Sequence, residues 1–120
     1  MDTINFNSAL ITGGAGFIGS YIAEKLIESG IRVKVLDNLV TGTKKNLEHC
    51  WNKKNFEFFQ QDLGNLENDD FLDNVDIVFH LAADPEVRTG YDKPENSFNQ
   101  NVINTFNLLQ KIKHSKVKKL

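Results

Sequence analysis

The amino-acid sequence predicts an α/β fold in which helices cover both faces of a doubly wound parallel sheet. Three observations support this prediction. Apolar strand-like segments alternate with helical ones, a turn of spaced glycines follows the first apolar segment, and an acidic residue ends the second. Such alternation favours right-handed crossovers between parallel strands. The 120 residues contain four predicted strands and the opening of a fifth, so we expect a sheet truncated after four to five strands.

The first strand is predicted at residues 8–12, and the glycine turn follows it directly. Gly13 would give the backbone the freedom that a tight turn needs. Gly16 would let the main chain approach a diphosphate, and Gly19 would let the following helix pack closely on the sheet. Because a helix N-terminus offers unpaired N–H groups to an anion, this segment predicts a phosphate-binding turn for a dinucleotide.

The first helix is predicted at residues 16–29, with Gly30 as its C-terminal stop. Its apolar face is predicted to contain Ile18, Ile22 and Leu26, with Ala23 and Ile27 beside them. The second strand, residues 33–36, is predicted to end at Asp37 and Asn38.

Asp37 follows Gly19 by 18 residues. A carboxylate at this place can accept hydrogen bonds from both hydroxyls of an adenosine ribose, and it would repel a 2′-phosphate. Asp37 therefore predicts NAD, rather than NADP, as the cofactor. A turn-forming Asp-Asn pair without a ligand is the alternative interpretation.

A short helix is predicted near residues 44–50, a third strand at residues 56–60, and one or two helical turns at residues 68–72. Asp62 and Leu63 follow the third strand. An aspartate there can accept a hydrogen bond from the amino group of adenine while the leucine packs on the ring. The same two residues could also form a plain loop pair.

The fourth strand is predicted at residues 76–81 and is expected to be buried on both faces. His80, Leu81, Ala82 and Ala83 lie at its end, where the winding direction of the sheet reverses and ligands bind. The two alanines keep this wall thin, so that a flat ring or a phosphate can approach the backbone. His80 itself is interpreted as a packed strand-end residue rather than a catalytic base.

A long helix is predicted at residues 95–113, and the opening of a fifth strand at residues 117–120. The helix is predicted from an apolar stripe at three-four spacing, which contains Phe98, Val102, Thr105, Leu109 and Ile112. An open sheet edge at the fifth strand tends to pair with another chain, so we expect a homo-oligomer.

Composition excludes several classes of function. The formal net charge of −2 provides no strong positive field for nucleic acid. No apolar run approaches the roughly 20 residues that span a bilayer, and residues 1–6 lack the pattern of a signal peptide. Cys50, the one cysteine, cannot form an internal disulfide. We therefore expect a cytoplasmic protein without nucleic-acid or membrane partners, and no pattern indicates a metal site.

Several segments together identify a family resemblance. They are Thr-Gly-Gly-Ala-Gly-Phe-Ile-Gly-Ser at residues 12–20, Asp37-Asn38-Leu39 with Gly42, Asp62-Leu63, His-Leu-Ala-Ala at residues 80–83, and residues 101–109 of the long helix. These segments resemble the extended short-chain dehydrogenase/reductases, and most closely the NAD-dependent nucleotide-sugar epimerases and dehydratases. Residues 84–88 are similar to those of the UDP-glucose 4-epimerases. Asn104 departs from the family, which has a glycine before the threonine.

The resemblance implies a Rossmann-type sheet that binds NAD. It implies these cofactor-binding residues: Gly13, Gly16, Phe17, Ile18, Gly19, Asp37, Asn38, Asp62, Leu63, Leu81, Ala82, Ala83 and Asn101. It also implies a nucleotide sugar of the UDP-glucose or UDP-galactose type as substrate. In such enzymes NAD takes a hydride from C4 of the sugar and returns it to the other face of a 4-keto intermediate.

The family's catalytic Ser/Thr and Tyr-x-x-x-Lys come after the fifth strand, and this sequence has neither of them there. A Tyr-x-x-x-Lys does occur at residues 21–25, but Lys25 follows Gly16 by nine residues. At about 1.5 Å per residue, that places Lys25 roughly 13 Å along a helix that leads away from the cofactor. We therefore expect no catalytic residue in this chain, and we expect residues 1–120 to be an NAD-binding portion that is inactive alone, without a substrate domain.

Two other hypotheses remain open from the sequence. The chain could be a non-enzymatic NAD-binding module, or it could be part of a nucleotide-sugar 4,6-dehydratase or reductase. A stand-alone module should protect the edge of its fifth strand, so the state of that edge distinguishes the first hypothesis from the others. The second would be decided by the residues that follow the fifth strand in a complete enzyme.

Overall fold

The four strands of the protein lie at the predicted places. In the computed structural model, which describes residues 5–120 without the side chain of Thr89, they are β1 (Ser8–Thr12), β2 (Arg32–Asp37), β3 (Phe56–Gln60) and β4 (Ile77–His80). All pairings are parallel, and the strand order is β3-β2-β1-β4. This order confirms the doubly wound sheet and places the winding reversal between β1 and β4. Residues 1–4, on which part of the signal-peptide expectation rests, lie outside the described residues.

Helix α1 (Phe17–Glu28) follows the glycine turn and ends where the sequence predicts. The Gly30 N–H bonds to Ile27 O at 3.0 Å, the Ile31 N–H bonds to Leu26 O at 3.0 Å, and Gly30 has a φ of 80°. These two bonds and the positive φ form a Schellman motif, which satisfies the last carbonyl groups of the helix. Gly30 is therefore confirmed as the stop.

The buried face of α1 differs from the prediction. The helix buries Gly19, Ser20, Ala23 and Ile27. Ile18 is 64% exposed instead of buried. The reason is the close approach at Gly19, which must lie against the turn. Ala23 and Ile27, four and eight positions later on the same side of the helix, therefore face the sheet.

A continuous helical segment, here called the long helix, extends over residues 94–113. It consists of a five-residue α-helical start at Pro94–Phe98, a π-helical turn at Asn99–Ile103 and a regular helix at Asn104–Lys113. A separate short helix precedes it at Val87–Asp92, a segment for which the sequence predicts no helix. Two 3-10 turns, Lys44–Leu47 and Asp70–Leu72, replace the other predicted short helices.

The apolar stripe that predicts the long helix packs on the core only in part, through residues such as Ile112. The buried residues are Asn104 and Leu108, whereas Phe98 and Val102 are 54% and 51% exposed. A π-helical turn adds one residue to the helical register, since its N–H groups bond to the carbonyl five residues earlier. The Asn104 N–H bonds to Asn99 O in this way. The extra residue rotates the two halves of the helix relative to each other, so one regular stripe cannot run along both.

Two apolar clusters pack on opposite faces of the sheet, because successive side chains along β1 point to opposite faces. Leu10 belongs to the cluster that contains Phe71, Val78 and Leu108, and Ile11 belongs to the cluster on the α1 side. In β4 only Val78 is buried, while Ile77 and Phe79 are half-buried. The sheet is therefore covered on both faces, although β4 is less enclosed than predicted.

The residues after the long helix run alongside β4. The Lys118 N–H donates to Asp76 O at 2.8 Å, and the Val78 N–H donates to Lys119 O at 2.9 Å. Lys119 forms a parallel bridge with Ile77. This is the position expected for a fifth parallel strand. Among residues 5–120, no helix has the length and apolar character needed to cross a membrane.

Candidate functional site

A cavity of about 460 Å³ lies at the carboxyl ends of the four strands. It is lined by eleven of the thirteen residues predicted to bind the cofactor: Gly13, Gly16, Phe17, Ile18, Gly19, Asp37, Asn38, Leu63, Leu81, Ala82 and Ala83. Seven further residues complete the wall: Leu36, Thr41, Gly42, Gln61, Pro85, Gln100 and Asn104. The fold therefore brings the glycine turn, the end of β2 and the end of β4 to one concave surface.

The glycine turn has no room for side chains at two of its three glycines. Gly13 has a φ of 69°, and a Cβ on it would lie 2.7 Å from Ala82 N. A Cβ on Gly19 would lie 2.5 Å from Gly13 O. A Cβ on Gly16 would meet only Gly13 O, at 3.2 Å, and would otherwise project into open space. The backbone at Gly16 is thus accessible from the cavity, as a phosphate-binding turn requires.

Asp37 is 7% exposed and lies at the end of β2 on the cavity wall. Its Oδ2 accepts the Ala15 N–H at 2.9 Å, and its Oδ1 accepts the Leu39 N–H at 2.8 Å. Leu39 has a φ of 61°, a backbone conformation that this second bond helps to hold. Each carboxylate oxygen can accept more than one hydrogen bond, so Asp37 keeps capacity for a ligand.

The backbone N–H and carbonyl groups of Ala15 join the glycine turn to the segment after β2. Its N–H bonds to Asp37, and its carbonyl oxygen accepts the Thr43 N–H at 3.1 Å and the Asn46 Nδ2 at 2.9 Å. Gly42 permits this approach, because a Cβ there would lie 3.0 Å from the Ala15 carbonyl carbon. The turn is therefore held from both sides before any ligand arrives.

Asp62 and Asn101, the other two predicted cofactor residues, form local contacts outside the lining of the cavity. Asp62 Oδ2 accepts from Asn38 Nδ2 at 2.8 Å, and its Oδ1 accepts the Gly64 N–H at 2.7 Å. Asn101 Oδ1 accepts the Asp84 N–H at 2.7 Å and fastens the loop after β4 to the long helix. Both residues shape the ends of the cavity, and their contact with a cofactor stays a prediction.

Three amide side chains on the wall were missed by sequence reasoning. Asn104 Nδ2 donates to Gln100 Oε1 at 3.1 Å, and both side chains reach the cavity from the long helix. Gln61 follows β3, and its Oε1 is buried without a hydrogen-bond partner. An unsatisfied buried acceptor costs about 1–3 kcal/mol. The sequence contained one signal for these three amide side chains, which is the asparagine at position 104 in place of the glycine of the family pattern.

A chain of hydrogen bonds connects β1, β4 and the long helix through His80. Thr12 Oγ1 lies 2.6 Å from His80 Nδ1, and His80 Nε2 lies 2.8 Å from Thr105 Oγ1. Thr105 Oγ1 donates to Asn101 O at 2.7 Å. Since that hydroxyl hydrogen is used, His80 Nε2 must be the donor to Thr105, which leaves Nδ1 to accept from Thr12. These partners suit a neutral ring that is protonated on Nε2.

We expect His80 to resist protonation, because burial lowers its pKa below the ordinary 6.5. Unfolding restores the ordinary pKa, so the stability that neutral His80 provides is complete above that value and is lost as the pH falls. A pH titration of the histidine ring signals by NMR should show a midpoint below 6.5. The His80→Gln variant identifies the signal. A midpoint at or above the ordinary value, or a proton on Nδ1, would contradict this assignment.

The one Tyr-x-x-x-Lys pattern of the chain faces away from the cavity. Tyr21 is 58% exposed and packs edge-on against Phe17, with ring centroids 5.5 Å apart. Lys25 Nζ donates to Glu28 Oε2 at 2.8 Å on the surface of α1. Neither side chain lines the cavity, and the absence of a catalytic role for this pair stays a prediction.

A family model described as GDP-mannose 4,6 dehydratase matches residues 10–120. A protein of Methanocaldococcus jannaschii, provisionally named UDP-glucose 4-epimerase, is 39% identical over 92% of this chain and 35% of its own length. UDP-glucuronic acid decarboxylase 1 of Danio rerio is 38% identical over 83% of this chain and 23% of its own length. The chain therefore spans about a third or less of the curated relatives it matches.

Solved structures give a consistent result. The UDP-N-acetylglucosamine 4-epimerase of Methanobrevibacter ruminantium superposes with a TM-score of 0.86 at 31% identity, over 96% of this chain and 36% of that one. The UDP-glucose 4-epimerase of Thermus thermophilus, solved with NAD, gives a TM-score of 0.79 at 35% identity, over 94% of this chain and 36% of that one.

Proposed function

This chain belongs to the family described as GDP-mannose 4,6 dehydratase, and we propose that it forms the NAD-binding part of a UDP-sugar 4-epimerase. The main observation in support is Asp37, a buried carboxylate at the end of β2 that lines the same cavity as the glycine turn. Two hydroxyls of an adenosine ribose provide the donors that such a carboxylate accepts. The similarity to 4-epimerases supports the choice of reaction and substrate.

The residues of the cavity fit a dinucleotide in three places. The accessible backbone at Gly16 and the start of α1 suit a diphosphate, since a helix N-terminus attracts anions. Asp37 suits the ribose. Ala82 and Ala83 form a thin wall at the winding reversal, where a flat ring can approach the backbone.

When bound, NAD would accept a hydride from C4 of the sugar and return it to the opposite face. The residues of this chain would bind and orient the cofactor for that transfer. Removal of the hydroxyl proton from the sugar requires a base beside the nicotinamide. Among the described residues, no tyrosine–lysine pair lines the cavity. We therefore propose that the 120 residues bind NAD but do not turn over a nucleotide sugar unaided.

Calorimetric titration of the purified 120-residue chain should show saturable, one-to-one binding of NAD. Binding of NADP should be at least about tenfold weaker, because Asp37 would repel the 2′-phosphate. The same preparation should leave UDP-galactose unconverted. Absence of NAD binding would overturn the proposed cofactor role, and epimerisation of UDP-galactose by this chain would overturn the proposed lack of a catalytic base.

A 4,6-dehydratase is the second candidate, favoured by the description of the family model that matches residues 10–120. Both reactions begin with hydride abstraction from C4 of a nucleotide sugar by NAD. The proposed roles of the glycine turn and of Asp37 are the same in both. The choice of epimerase rests on the relatives and solved structures that bear that name.

A further inference from the structure

The outer side of β3 is an unpaired sheet edge in the part of the chain that the structure describes. Among residues 5–120, the strand order gives β3 a single neighbour, β2, whereas residues 118 and 119 run along β4 at the opposite edge. An unpaired edge offers backbone N–H and C=O groups to an added strand. Proline and lysine commonly block such pairing, and the β3 sequence Phe-Glu-Phe-Phe-Gln contains neither of them. The β3 edge is therefore open to another strand.

The ladder between β2 and β3 shows which residues of β3 point their backbone groups outward. Val33 is the register partner of Phe56, and the Val33 N–H donates to Asn55 O at 2.8 Å. In a parallel ladder a residue bonds to the two residues that flank its partner, so alternate residues of β3 bond to β2. The other residues, whose N–H and C=O groups point away from β2, are Phe56, Phe58 and Gln60. The Phe56 N–H contacts Lys53 O at 3.4 Å, so the edge offers the N–H groups of Phe58 and Gln60.

One antiparallel register lets β3 pair with a second copy of itself along its whole length. With Phe58 opposite Phe58 of the second copy, Phe56 lies opposite Gln60, and every outward residue meets another outward residue. Moving the centre by one residue, to Glu57, would place the two Glu57 side chains opposite each other, and facing like charges are unfavourable. In the register centred on Phe58, Glu57 lies opposite Phe59. The sequence of β3 therefore favours the register centred on Phe58.

Charge favours the same antiparallel arrangement. Lys54, which precedes β3, is exposed and has no ion pair among residues 5–120. Asp62 follows β3, and each of its carboxylate oxygens accepts one hydrogen bond and can accept another. Antiparallel pairing brings Lys54 of one copy to Asp62 of the other, at both ends of the interface. A parallel arrangement would instead bring the two Lys54 side chains together, so a second copy fits this edge in one direction only.

An aromatic cluster adjoins the same edge. Trp51 is 41% exposed, and its ring centroid lies 5.3 Å from that of Phe58 and 5.4 Å from that of Phe56. Phe56 and Phe58 are half-buried. In the register centred on Phe58 the clusters of two copies meet, and aromatic cross-strand pairs stabilise a sheet. Pairing would thus cover apolar surface that a single chain leaves partly exposed to solvent.

We infer that the outer edge of β3 is an interface between two copies of this chain, joined as antiparallel strands about a two-fold axis at Phe58. The two sheets would then form one continuous sheet across the axis. A five-residue strand spans only about 17 Å, so the dimer is weak and depends on protein concentration. The inference places self-association at β3 instead of the fifth-strand edge, and it does not rest on the proposed binding of NAD.

The first test measures self-association of the 120-residue chain from micromolar to millimolar concentration. Sedimentation equilibrium should show a monomer that converts to a dimer as the concentration rises. Amide hydrogen exchange followed by NMR should slow for Phe58 and Gln60 in proportion to the dimer fraction, because their N–H groups become bonded. Glu57 and Phe59, whose N–H groups already bond to β2, should not change. A chain that stays monomeric, or a dimer whose concentration-dependent protection lies in another segment, would refute the inference.

The second test compares two substitutions of Gln60, which is exposed and lies off the wall of the cavity. Gln60→Pro removes an N–H that points away from β2 and leaves the ladder with β2 intact. It should raise the dissociation constant of the dimer about tenfold or more, because both copies lose a hydrogen bond. Gln60→Thr removes the same side chain but keeps the N–H, so the constant should change about twofold or less. Equal dissociation constants for the two folded variants would contradict the proposed pairing.

Lys54→Glu tests the interface without a change in the backbone, so the inference stays testable if Gln60→Pro does not fold. A glutamate beside Asp62 of the second copy replaces an attraction by a repulsion at both ends of the interface, and the dissociation constant should rise about fivefold or more. Lys116→Glu is the matched control, because Lys116 is exposed and lies near the opposite edge of the sheet. Thermal unfolding verifies that the variants are folded. A Lys54→Glu protein that dimerises as tightly as Lys116→Glu would overturn the inference.

Discussion

Replacing Asp37 by asparagine is expected to weaken NAD binding by about a hundredfold and to abolish the preference for NAD over NADP. A hydrogen bond to a charged group contributes about 1.5–3 kcal/mol, and the carboxylate is proposed to accept from two ribose hydroxyls. Asparagine has no charge to repel a 2′-phosphate. Calorimetric titrations with NAD and with NADP measure both effects.

The same substitution should also lower the stability of the protein. Asp37 uses both oxygens for backbone donors, Oδ2 for the Ala15 N–H and Oδ1 for the Leu39 N–H. Asparagine has a single oxygen, so one N–H would face an NH₂ group at a cost of about 1–3 kcal/mol. The affinity must therefore be measured well below the unfolding temperature. Asp92→Asn is the control, since Asp92 is exposed and lies off the cavity wall. Unchanged NAD affinity in a folded Asp37→Asn protein would refute the ribose assignment.

Replacing Gly13 by alanine is expected to lower the unfolding temperature by roughly 10 °C or more. Two costs combine at this position. A left-handed backbone costs an alanine about 1–2 kcal/mol, and its Cβ would lie 2.7 Å from Ala82 N. Relief of that overlap would cost about 1–3 kcal/mol further. A change of 1 kcal/mol shifts the midpoint of a domain of this size by roughly 4 °C.

Gly30→Ala separates these two costs. Gly30 has a φ of 80°, but a Cβ there would have no atom within 4 Å. Its substitution should therefore show the backbone cost alone, roughly 4–8 °C. Thermal unfolding followed by circular dichroism compares the two variants. Equal shifts would show that the contact between Gly13 and the segment after β4 is not tight.

The sheet and the glycine turn could be predicted from the sequence because local signals determine them. Apolar segments of strand length define β1 and β3, whose bounds match the prediction. Spaced glycines define the turn, and Gly30 defines the end of α1. These signals act over a few residues and need no knowledge of what packs against them.

The orientation of the long helix could not be predicted in the same way. An apolar stripe from Phe98 to Ile112 assumes a constant helical period, and the π-helical turn at Asn99–Ile103 changes that period. In the separate helix Val87–Asp92, the residues whose burial is described are exposed apart from the half-buried Gly90, so no apolar periodicity indicates this helix.

The residues of the candidate site also divide into those that the sequence predicts and those that it does not. Asp37 and the glycines follow from spacing, because a dinucleotide needs those residue types at strand ends. The side-chain partners of Asp62 and Asn101 depend on how loops fold back, which spacing does not reveal. Gln61 could be identified only from the burial of its oxygen.

The backbone of Ala15 makes the two halves of the proposed cofactor site energetically interdependent. The Ala15 N–H is bonded to Asp37 and its carbonyl oxygen to Thr43 and Asn46, so this one residue links the glycine turn both to Asp37 and to the segment after β2. Mutations within such a shared network do not have additive effects. Asn46 is exposed and lies outside the cavity lining. Sequence variation at this surface position can therefore tune cofactor affinity without any contact with the cofactor.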